Sequence, residues 1–421
     1  MSHALSHAFA SANADAYPGL TEIPASEGPF PLLTPLSTVK PIVILASNAI
    51  NDATLFINGL TQNIVVLYHL FEALGWSPCL LQHSITEGAE RQAFLGRYRY
   101  TTHAEVVRST ERVALLIEIG MSLDAGTRGH LRRAGTRIVK LYLGNILNID
   151  IETIQNYRDQ FFNHHLVGEL DEIWTSPHYA QHVEYAAVLN RVPVEMGKVV
   201  PYVWEPCFLE RYGSREEYEY VAKDWRDRDI IIMDPNISFQ KCSFYSLLLA
   251  EAFARAHPTW KGKVFAVNGD RLSLSPNALN GLLPNLTLWK EKRIVLSGRQ
   301  RIHEVLAAHR SACFVTHQWN NDYNYMTLEL FHYGYPMVHN SVGWAGFGYY
   351  YDVEKWSSAV ETLRMAMQDH DAVAGIYRTH AANLVWRHSP HNPEVQKRWR
   401  DLLGGAAAPL PLASPTASNT V

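Results

Sequence analysis

The amino-acid sequence predicts an α/β protein built from two doubly wound parallel-sheet domains. Short apolar runs alternate with amphipathic helical patterns, which is typical of parallel strands joined by crossover helices. The alternation stops in a polar stretch with charges of both signs at 210–228 and begins again at residue 229. A length of 421 residues suits two domains of ordinary size with additional ends.

The first domain is predicted to span residues 39–208. Residues 1–38 are rich in Ala, Ser and Pro, so they are expected to form a flexible segment. A helix is expected after Gly59, because apolar residues then recur at spacings of four and three as far as Gly75. We predict strands at 41–46, 113–117, 137–141, 171–176 and 199–203, and further helices at 125–134 and 179–189.

The second domain is predicted to span residues 229–385, after a linker at 209–228. An amphipathic helical pattern follows within 386–403, and the Ala- and Pro-rich residues 404–421 are expected to be a disordered tail. We predict a helix at 244–256 and strands at 229–233, 263–267, 286–288, 293–296, 313–316 and 336–339.

Composition restricts the class of protein. A formal net charge of −4 provides no general attraction to nucleic-acid backbones or anionic lipid, so bulk nucleic-acid binding is not expected. The four cysteines show no C-x-x-C spacing, which favours a reducing compartment. Neither a signal peptide nor an 18-residue apolar run occurs, so we expect a cytoplasmic protein that is at most peripheral to a membrane.

The segment 317–341 contains the most informative pattern. It begins where a strand ends and continues through a polar loop and a short helix opening near Met326 to a turn at 334–336. Glu329 is then expected in the first turn of that helix, where a carboxylate can accept hydrogen bonds from a ribose diol. Alternatively, Glu329 only complements the helix dipole, and the turn is ordinary Gly-Pro chemistry.

Residues 328–336, Leu-Glu-Leu-Phe-His-Tyr-Gly-Tyr-Pro, resemble the C-terminal donor signature of family 4-like glycosyltransferases with the GT-B fold. The resemblance implies two facing Rossmann-like domains with a sugar nucleotide in the cleft between them. It assigns Glu329, Asn321 and His317 to donor binding. Such enzymes usually have an acid where this chain has Asn321, so the adjacent Asp322 is a catalytic candidate. In this architecture the C-terminal helix within 386–403 returns to the first domain.

The loop 234–241 follows the first strand of the second domain and precedes a helix, where a phosphate can meet helix-terminal amides. By resemblance, Lys241 takes the place of the basic residue that binds the donor diphosphate. Asn236 occupies the loop where a second basic residue is usual, and Arg299 or Arg301 could supply that charge from the start of another helix. The alternative is that these cations are solvated surface residues.

The acceptor is expected to bind at the first domain, near Asn51, Asp52, Asn58 and Gly59 in the loop after the first strand. Transfer requires a base that deprotonates an acceptor hydroxyl, and the nearby acids Glu118 and Asp124 are the candidates. Each is also explicable as a helix-capping or surface acid.

The sequence thus predicts transfer of a sugar from a nucleoside-diphosphate sugar to a glycan or lipid-linked acceptor hydroxyl, in glycan or polysaccharide synthesis. No cofactor beyond the donor is expected. No metal is required, because cationic side chains can stabilise the leaving diphosphate, and His178 and His182 lack an evident third ligand. A nucleotide-sugar epimerase, a DNA-base glycosyltransferase and a non-catalytic nucleotide- or carbohydrate-binding protein remain open as alternatives.

Overall fold

The computed structural model describes residues 40–47, 50, 55–56, 59–82, 97–109, 112–156 and 165–404. The predictions for 1–38 and for 405–421 lie outside the described residues.

The first sheet contains seven parallel strands in the order β3-β2-β1-β4-β5-β6-β7. Strand β1, in the interior of this sheet, is fully buried and largely apolar, as expected for a parallel strand covered on both faces. The strands are β1 Ile42–Ser47, β2 Ser77–Gln82, β3 Tyr100–Thr102, β4 Val113–Glu118, β5 Arg137–Tyr142, β6 Glu172–Thr175 and β7 Gly197–Val199.

Helices connect these strands and bury their apolar faces on the sheet. The helix after Gly59 is present and has ten buried residues, so it lies within the core rather than on its surface. The helices of this half are α1 Gly59–Ala73, α2 His103–Arg108, α3 Ala125–Arg133, α4 Ile146–Asn156 and α5 Val183–Leu189.

The second sheet contains six parallel strands in the order β10-β9-β8-β11-β12-β13. The strands are β8 Ile230–Ile232, β9 Val264–Val267, β10 Ile294–Ser297, β11 Cys313–Val315, β12 Met337–His339 and β13 Tyr349–Tyr350. The remaining helices are α6 Arg215–Tyr218, α7 Phe244–Ala256, α8 Asp270–Ser273, α9 Thr287–Lys290, α10 Ile302–Ala308, α11 Tyr325–His332, α12 Trp356–Gln368, α13 His370–His388 and α14 Pro393–Leu403.

Two predicted strands differ in the structure. The segment predicted as a strand at 286–288 opens α9, because both carboxylate oxygens of Glu251 accept hydrogen bonds from the Thr287 and Leu288 amides at the start of the helix. The predicted strand at 199–203 lies earlier in the chain, as β7, and its ladder stops because Pro201 has no amide hydrogen.

The chain crosses between the two halves twice, and the crossings lie side by side. The connector 200–208 leaves the first sheet, and the segment 389–392 returns from α13 to α14. The Trp204 amide of the connector donates to the His388 carbonyl at the end of α13 at 2.9 Å. Helix α14 then packs on the first half, where the ring of Trp399 lies 6.0 Å from Phe71 and 5.7 Å from Trp174.

The boundaries between domains given above stay a prediction. Among the described helices, none combines the length and the apolar character needed to cross a membrane.

Candidate active site

The two halves meet where the carboxyl ends of their strands face each other, and we call the region between them the cleft. Strand order reverses between β1 and β4 in one sheet and between β8 and β11 in the other, and ligands of open α/β sheets bind beyond such points. Hydrogen bonds that cross the cleft join Tyr179 to Asn321, Asn145 to the Asn320 carbonyl at 2.7 Å, the Phe239 amide to Glu152 at 3.4 Å, and Gln62 to Glu329 at 3.3 Å.

A buried polar network occupies the reversal point of the second sheet. Asp234 follows β8, and its Oδ1 accepts hydrogen bonds from Thr316 Oγ1 at 2.7 Å and Gln318 Nε2 at 2.6 Å, both just after β11. Burial raises the pKa of Asp234 to about 7, although these bonds oppose the shift. Gln318 Oε1 accepts from Asn321 Nδ2 at 2.6 Å, and Tyr179 of the first half donates to Asn321 Oδ1. The network therefore links both halves.

Glu329 lies on the buried side of α11. The side chain of Asn324 caps this helix by accepting from the Met326 amide at 3.1 Å. The helix begins at Tyr325, so Glu329 is its fifth residue and lies beyond the first turn, which corrects the predicted position. Only 3% of Glu329 is exposed, and burial raises the pKa of its carboxyl to about 8, with the hydrogen bond from Gln62 opposing the shift. Interaction with the dipole of α11 therefore does not explain why a carboxyl is buried at this position.

Lys241 ends the loop that follows β8. Burial lowers the pKa of its ammonium group, and the carboxylate of Asp234 opposes that shift. The same ammonium group helps to lower the pKa of His178, after the larger effect of burial on that ring. Two residues before Lys241, the Phe239 amide donates to Glu152 of the first half at 3.4 Å, so the loop that carries Lys241 borders both halves.

Asn236 braces this loop with both ends of its amide. Its Nδ2 donates to the carbonyls of Asp234 and Asn268 at 3.0 and 3.1 Å, and its Oδ1 accepts from the Ser243 amide at 2.9 Å. The backbone of Asn236 has φ +53°, a conformation that asparagine tolerates. These bonds indicate a structural role that shapes the loop for Lys241, and direct donor contact by Asn236 stays a prediction.

His317 is fully buried at the end of β11. Its ring stacks on Tyr245 with a centroid distance of 3.8 Å, and burial lowers its pKa to about 4. Tyr351 donates its hydroxyl hydrogen to the Thr316 carbonyl, so it accepts from His317 Nδ1, which is 2.8 Å away. The lone pair of the neutral ring is then on Nε2, which has no hydrogen-bond partner among the described residues. A ligand hydroxyl could supply one.

Asn321 and Asp322 have different surroundings. Asn321 is buried, and both ends of its amide are used in the network described above. Burial raises the pKa of Asp322, while its carboxylate accepts from the amides of Gly343 and Val342, which opposes the shift. Because these amides already hold the Asp322 carboxylate, its catalytic role is not favoured by this arrangement and stays a prediction.

Arg299 and Arg301 lie after β10, at the edge of the second sheet. Both side chains are exposed, and in the described parts of the chain neither takes part in an ion pair. Helix α10, which follows them, faces the first half, since His303 lies 5.6 Å from Phe56. The two arginines therefore border the cleft region, and their role in binding the diphosphate stays a prediction.

Glu118 is fully buried at the end of β4. Its Oε1 accepts from the Leu123 amide at 2.9 Å, and Arg128 approaches its Oε2 at 3.8 Å. The carboxylate also opposes the effect of burial on Lys140, whose pKa is lowered to about 8. Glu118 thus holds the loop before α3, and an acceptor hydroxyl cannot reach it in this conformation.

Asp124 is the N-cap of α3. It accepts from the Thr127 amide and hydroxyl at 2.9 and 2.7 Å and contacts His103 Nε2 at 2.8 Å. Partial burial raises the pKa of Asp124, but these hydrogen bonds outweigh burial and lower the pKa to about 2. A general base works best with a pKa near the operating pH, so this capping carboxylate is poorly suited to that part.

Gly59 is described, whereas Asn51, Asp52 and Asn58 lie outside the described residues. Gly59 opens α1 directly against Tyr325 at the start of α11, and a Cβ added to it would lie 2.0 Å from the tyrosine ring. A close approach of two helix starts, one from each half, therefore depends on this glycine.

The sequence interpretation missed several residues of the cleft. The contacts of Gln62 and Tyr179 join residues more than 140 positions apart, so no local pattern could have indicated them. Asp234 and Gln318 did have a signal, since each follows a buried strand of the second sheet. Polar residues at the ends of both strands that flank an order reversal would have identified them.

The profile of one protein family, described as "Protein of unknown function (DUF2827)", matches residues 43–403. The chain belongs to the DUF2827 family. No curated protein matches this DUF2827 chain at a significant level.

Solved structures share the fold of this DUF2827 protein at low identity. Anabaena Alr3699/HepE in complex with UDP-glucose has a TM-score of 0.51 at 13% identity, over 85% of this chain and 99% of that one. An E. coli structure titled "Trehalose-6-phosphate" and bound with UDP-2-fluoro glucose has a TM-score of 0.55 at 10% identity, over 86% and 98%. An alpha-glucosyltransferase in complex with UDP and DNA containing a HMU base has a TM-score of 0.51 at 12% identity, over 83% of this chain and 96% of that one. The predicted GT-B fold is confirmed.

Proposed function

We propose that this DUF2827 protein is a glycosyltransferase that takes its sugar from a nucleoside-diphosphate sugar. The observation that carries the proposal is the buried carboxyl of Glu329, which faces Gln62 across the cleft of a GT-B fold without a cationic partner among the described residues. A buried carboxyl in such a place needs hydrogen-bond donors, and a ribose diol supplies two of them. The solved structures of the same fold contain UDP or UDP-sugars, which makes uridine the first nucleoside to test.

Three side chains have separate parts in donor binding under this proposal. Glu329 accepts hydrogen bonds from the ribose, and Lys241 lies beside the diphosphate. His317 accepts a hydrogen bond from a sugar hydroxyl at Nε2. Each part follows from chemistry already described: a buried carboxyl without a cationic partner among the described residues, an ammonium group whose pKa is lowered by burial, and a neutral ring whose Nε2 has no hydrogen-bond partner among those residues.

The reaction breaks the bond between the anomeric carbon and the diphosphate oxygen. The nucleoside diphosphate leaves with the electron pair of that bond, the acceptor oxygen forms the new bond to the anomeric carbon, and the acceptor proton passes to the departing diphosphate oxygen. Positive charge beside the diphosphate stabilises this departure, and Lys241 supplies it. The proposal therefore requires no metal ion for the chemical step and no cofactor beyond the donor.

The proposed acceptor is a hydroxyl of a glycan or a lipid-linked glycan, in polysaccharide synthesis. Action in the cytoplasm, with peripheral contact to a membrane, belongs to the same proposal, because a lipid-linked acceptor is presented at a membrane surface. The exclusion of nucleic acid drawn from net charge has no support, since one structure of this fold holds DNA with a HMU base. Such DNA is the second acceptor class to test.

A thermal-shift series with UDP and UDP-sugars tests donor binding. A ligand at one hundred times its Kd should stabilise the wild type by about 2.7 kcal/mol. The shift should disappear in Glu329→Ala and Lys241→Ala. It should persist in Glu354→Ala and Lys290→Ala, which change exposed residues of the same half. If no nucleotide shifts the wild type, or if all four variants respond alike, the donor site is not where we propose.

Turnover separates the remaining alternatives. Labelled UDP-sugar should be transferred to oligosaccharide or lipid-linked acceptors, with kcat reduced about 10²–10³-fold in Lys241→Ala. Conversion of the donor sugar without transfer would instead indicate an epimerase. Binding without consumption of donor, with glycans and with HMU-containing DNA alike, would leave a non-catalytic binding protein.

A further inference from the structure

Three potential metal ligands meet at the hinge between the two halves. His69 is on α1, whereas Glu205 and Cys207 are in the connector. One ligand atom from each lies within 4.8 Å of the other two. His69 Nδ1 is in direct contact with Glu205 Oε1. This cluster is separate from the donor-site residues described above.

A fourth ligand is available from the other crossing of the chain. His391 belongs to the segment 389–392, and its Nε2 lies 3.6 Å from Glu205 Oε2. Its side chain is 60% exposed, so it can turn toward the cluster, whereas those of His69 and Glu205 are only 13% exposed. The neighbouring hydrogen bond between Trp204 and His388 holds the two crossings together.

The ligand set has a definite chemical preference. A thiolate, imidazole nitrogens and a carboxylate oxygen together suit Zn²⁺, which binds them at about 2.0–2.3 Å in a tetrahedron. Adjacent ligand atoms of such a tetrahedron are about 3.3–3.8 Å apart. The ligand atoms of His69, Glu205 and Cys207 lie within 4.8 Å of one another, so these three need shifts of about 1 Å to reach that spacing. Mg²⁺ and Ca²⁺ prefer oxygen ligands and would not use the sulfur.

We propose that His69, Glu205, Cys207 and His391 bind a zinc-class divalent cation that ties α1 to both crossings of the chain. Within the part of the chain that the structure describes, none of the four residues contacts Glu329, Lys241 or His317, so the site is structural rather than catalytic. Its position gives it a mechanical consequence. Gln62, which contacts Glu329, precedes His69 by seven residues on α1, or about 10 Å along the helix. A cation at the hinge thus fixes the same helix that forms one wall of the cleft.

The competing explanation is a hydrogen-bonded cluster without a metal, in which His69 and the Cys207 thiol both donate to Glu205. The two explanations differ in the state of the sulfur. A bound cation requires a thiolate and displaces its proton. A hydrogen-bonded cluster keeps the thiol, so a spectroscopic probe of the sulfur distinguishes them.

Titration of the metal-stripped full-length protein with Co²⁺ tests the proposal. We expect one equivalent to produce the near-ultraviolet absorption of a cobalt–thiolate bond, and Zn²⁺ to abolish it by competition. Cys207→Ser should lose this absorption, whereas Cys242→Ser, which changes another half-buried cysteine, should keep it. His391→Gln, an exposed change that spares the core, should weaken affinity at least about tenfold.

Three outcomes would overturn the proposal. Absence of thiolate absorption in the wild type after Co²⁺ loading would show that Cys207 is not a ligand, whatever the variants do. Absorption that persists in folded Cys207→Ser would assign the metal to another cysteine. A zinc content that His391→Gln and Cys207→Ser both leave at one equivalent would mean adventitious binding to other histidines.

Discussion

Glu329 has a pKa of about 8 in the folded chain, against the ordinary glutamate value of 4.5. Between these two values the folded chain holds one proton more than the unfolded chain, so unfolding releases a proton. The contribution of this carboxyl to stability is therefore present below about pH 4.5 and is lost as pH rises through 8. A donor-site residue that weakens the empty protein is typical of a functional position.

We expect the free energy of unfolding of Glu329→Gln to increase relative to that of the wild type as pH rises. The amide cannot ionise, so the stability advantage of the variant should grow by about 2 kcal/mol between pH 5 and pH 8. This is about half of the limit that 1.36 kcal/mol per pH unit sets over three units. Urea unfolding of both proteins across this range measures the difference, with the exposed Glu354→Gln as control. Parallel curves for wild type and Glu329→Gln would contradict the burial of an ionisable carboxyl.

Asn321 can be tested as a replacement for the expected acid. In Asn321→Asp an ionised carboxylate would face Gln318 Oε1, and the other end of the Gln318 amide already donates to Asp234. We therefore expect a loss of about 2 to 4 kcal/mol at pH 8. Asn320→Asp, at the exposed neighbouring position, should change stability by less than about 0.5 kcal/mol. A stable Asn321→Asp protein with higher transferase activity would show that the family acid belongs here after all.

At the scale of elements, the starts of α1 and α11 meet at Gly59. Gly59→Ala would place a carbon 2.0 Å from the Tyr325 ring, so one helix must move away from the other. We expect this variant to favour an open cleft, with a larger radius of gyration by small-angle X-ray scattering and at least tenfold weaker binding of UDP. Gly375→Ala in α13, where a Cβ meets nothing within 4 Å, is the matched control. Unchanged affinity in Gly59→Ala would separate the helix contact from donor binding.

Patterns along single elements allowed much of the fold to be predicted. Buried apolar runs such as β1 and β8, and the bounds of α7, follow directly from local periodicity. Strand β2 was missed because Pro78 and the flanking polar residues interrupt its apolar run. Helix α9 was mistaken for a strand because the carboxylate that begins it, Glu251, is 36 residues away in the sequence. Contacts of this kind do not appear in a local pattern.

The candidate site divides in the same way. Lys241 and Glu329 follow buried strands in recognisable motifs, so the sequence could indicate them. The sequence could not indicate the residues that surround these two side chains. The carboxyl of Glu329, for example, is covered by Gln62 of the other half, 267 positions away. For Asp124 the sequence left two roles open, a general base and a helix cap. Its bond from the Thr127 amide is the local cap of α3, whereas its contact with His103 exists only once α2 packs on α3. Its catalytic role stays a prediction.

For the whole molecule, α14 is the test of how the halves depend on each other. Trp399→Ala removes a fully buried ring that packs between Phe71 and Trp174, so we expect a loss of about 3–5 kcal/mol. Trp386→Ala, at a ring that is 52% exposed in α13, should have little effect. Calorimetry measures both, and the destabilised transition should be that of the first half. Equal, small effects would mean that α14 is not part of that core.

The return of α14 also determines the order in which a ribosome can finish this protein. The core of the first half includes Val395, Trp399 and Leu403, which are translated almost two hundred residues after the connector 200–208. Domains of larger proteins usually fold as units during synthesis, the N-terminal one first. Here the emerging N-terminal half must wait with an open hydrophobic face until the second half has been made. The nascent chain is therefore a natural client for chaperones throughout that interval.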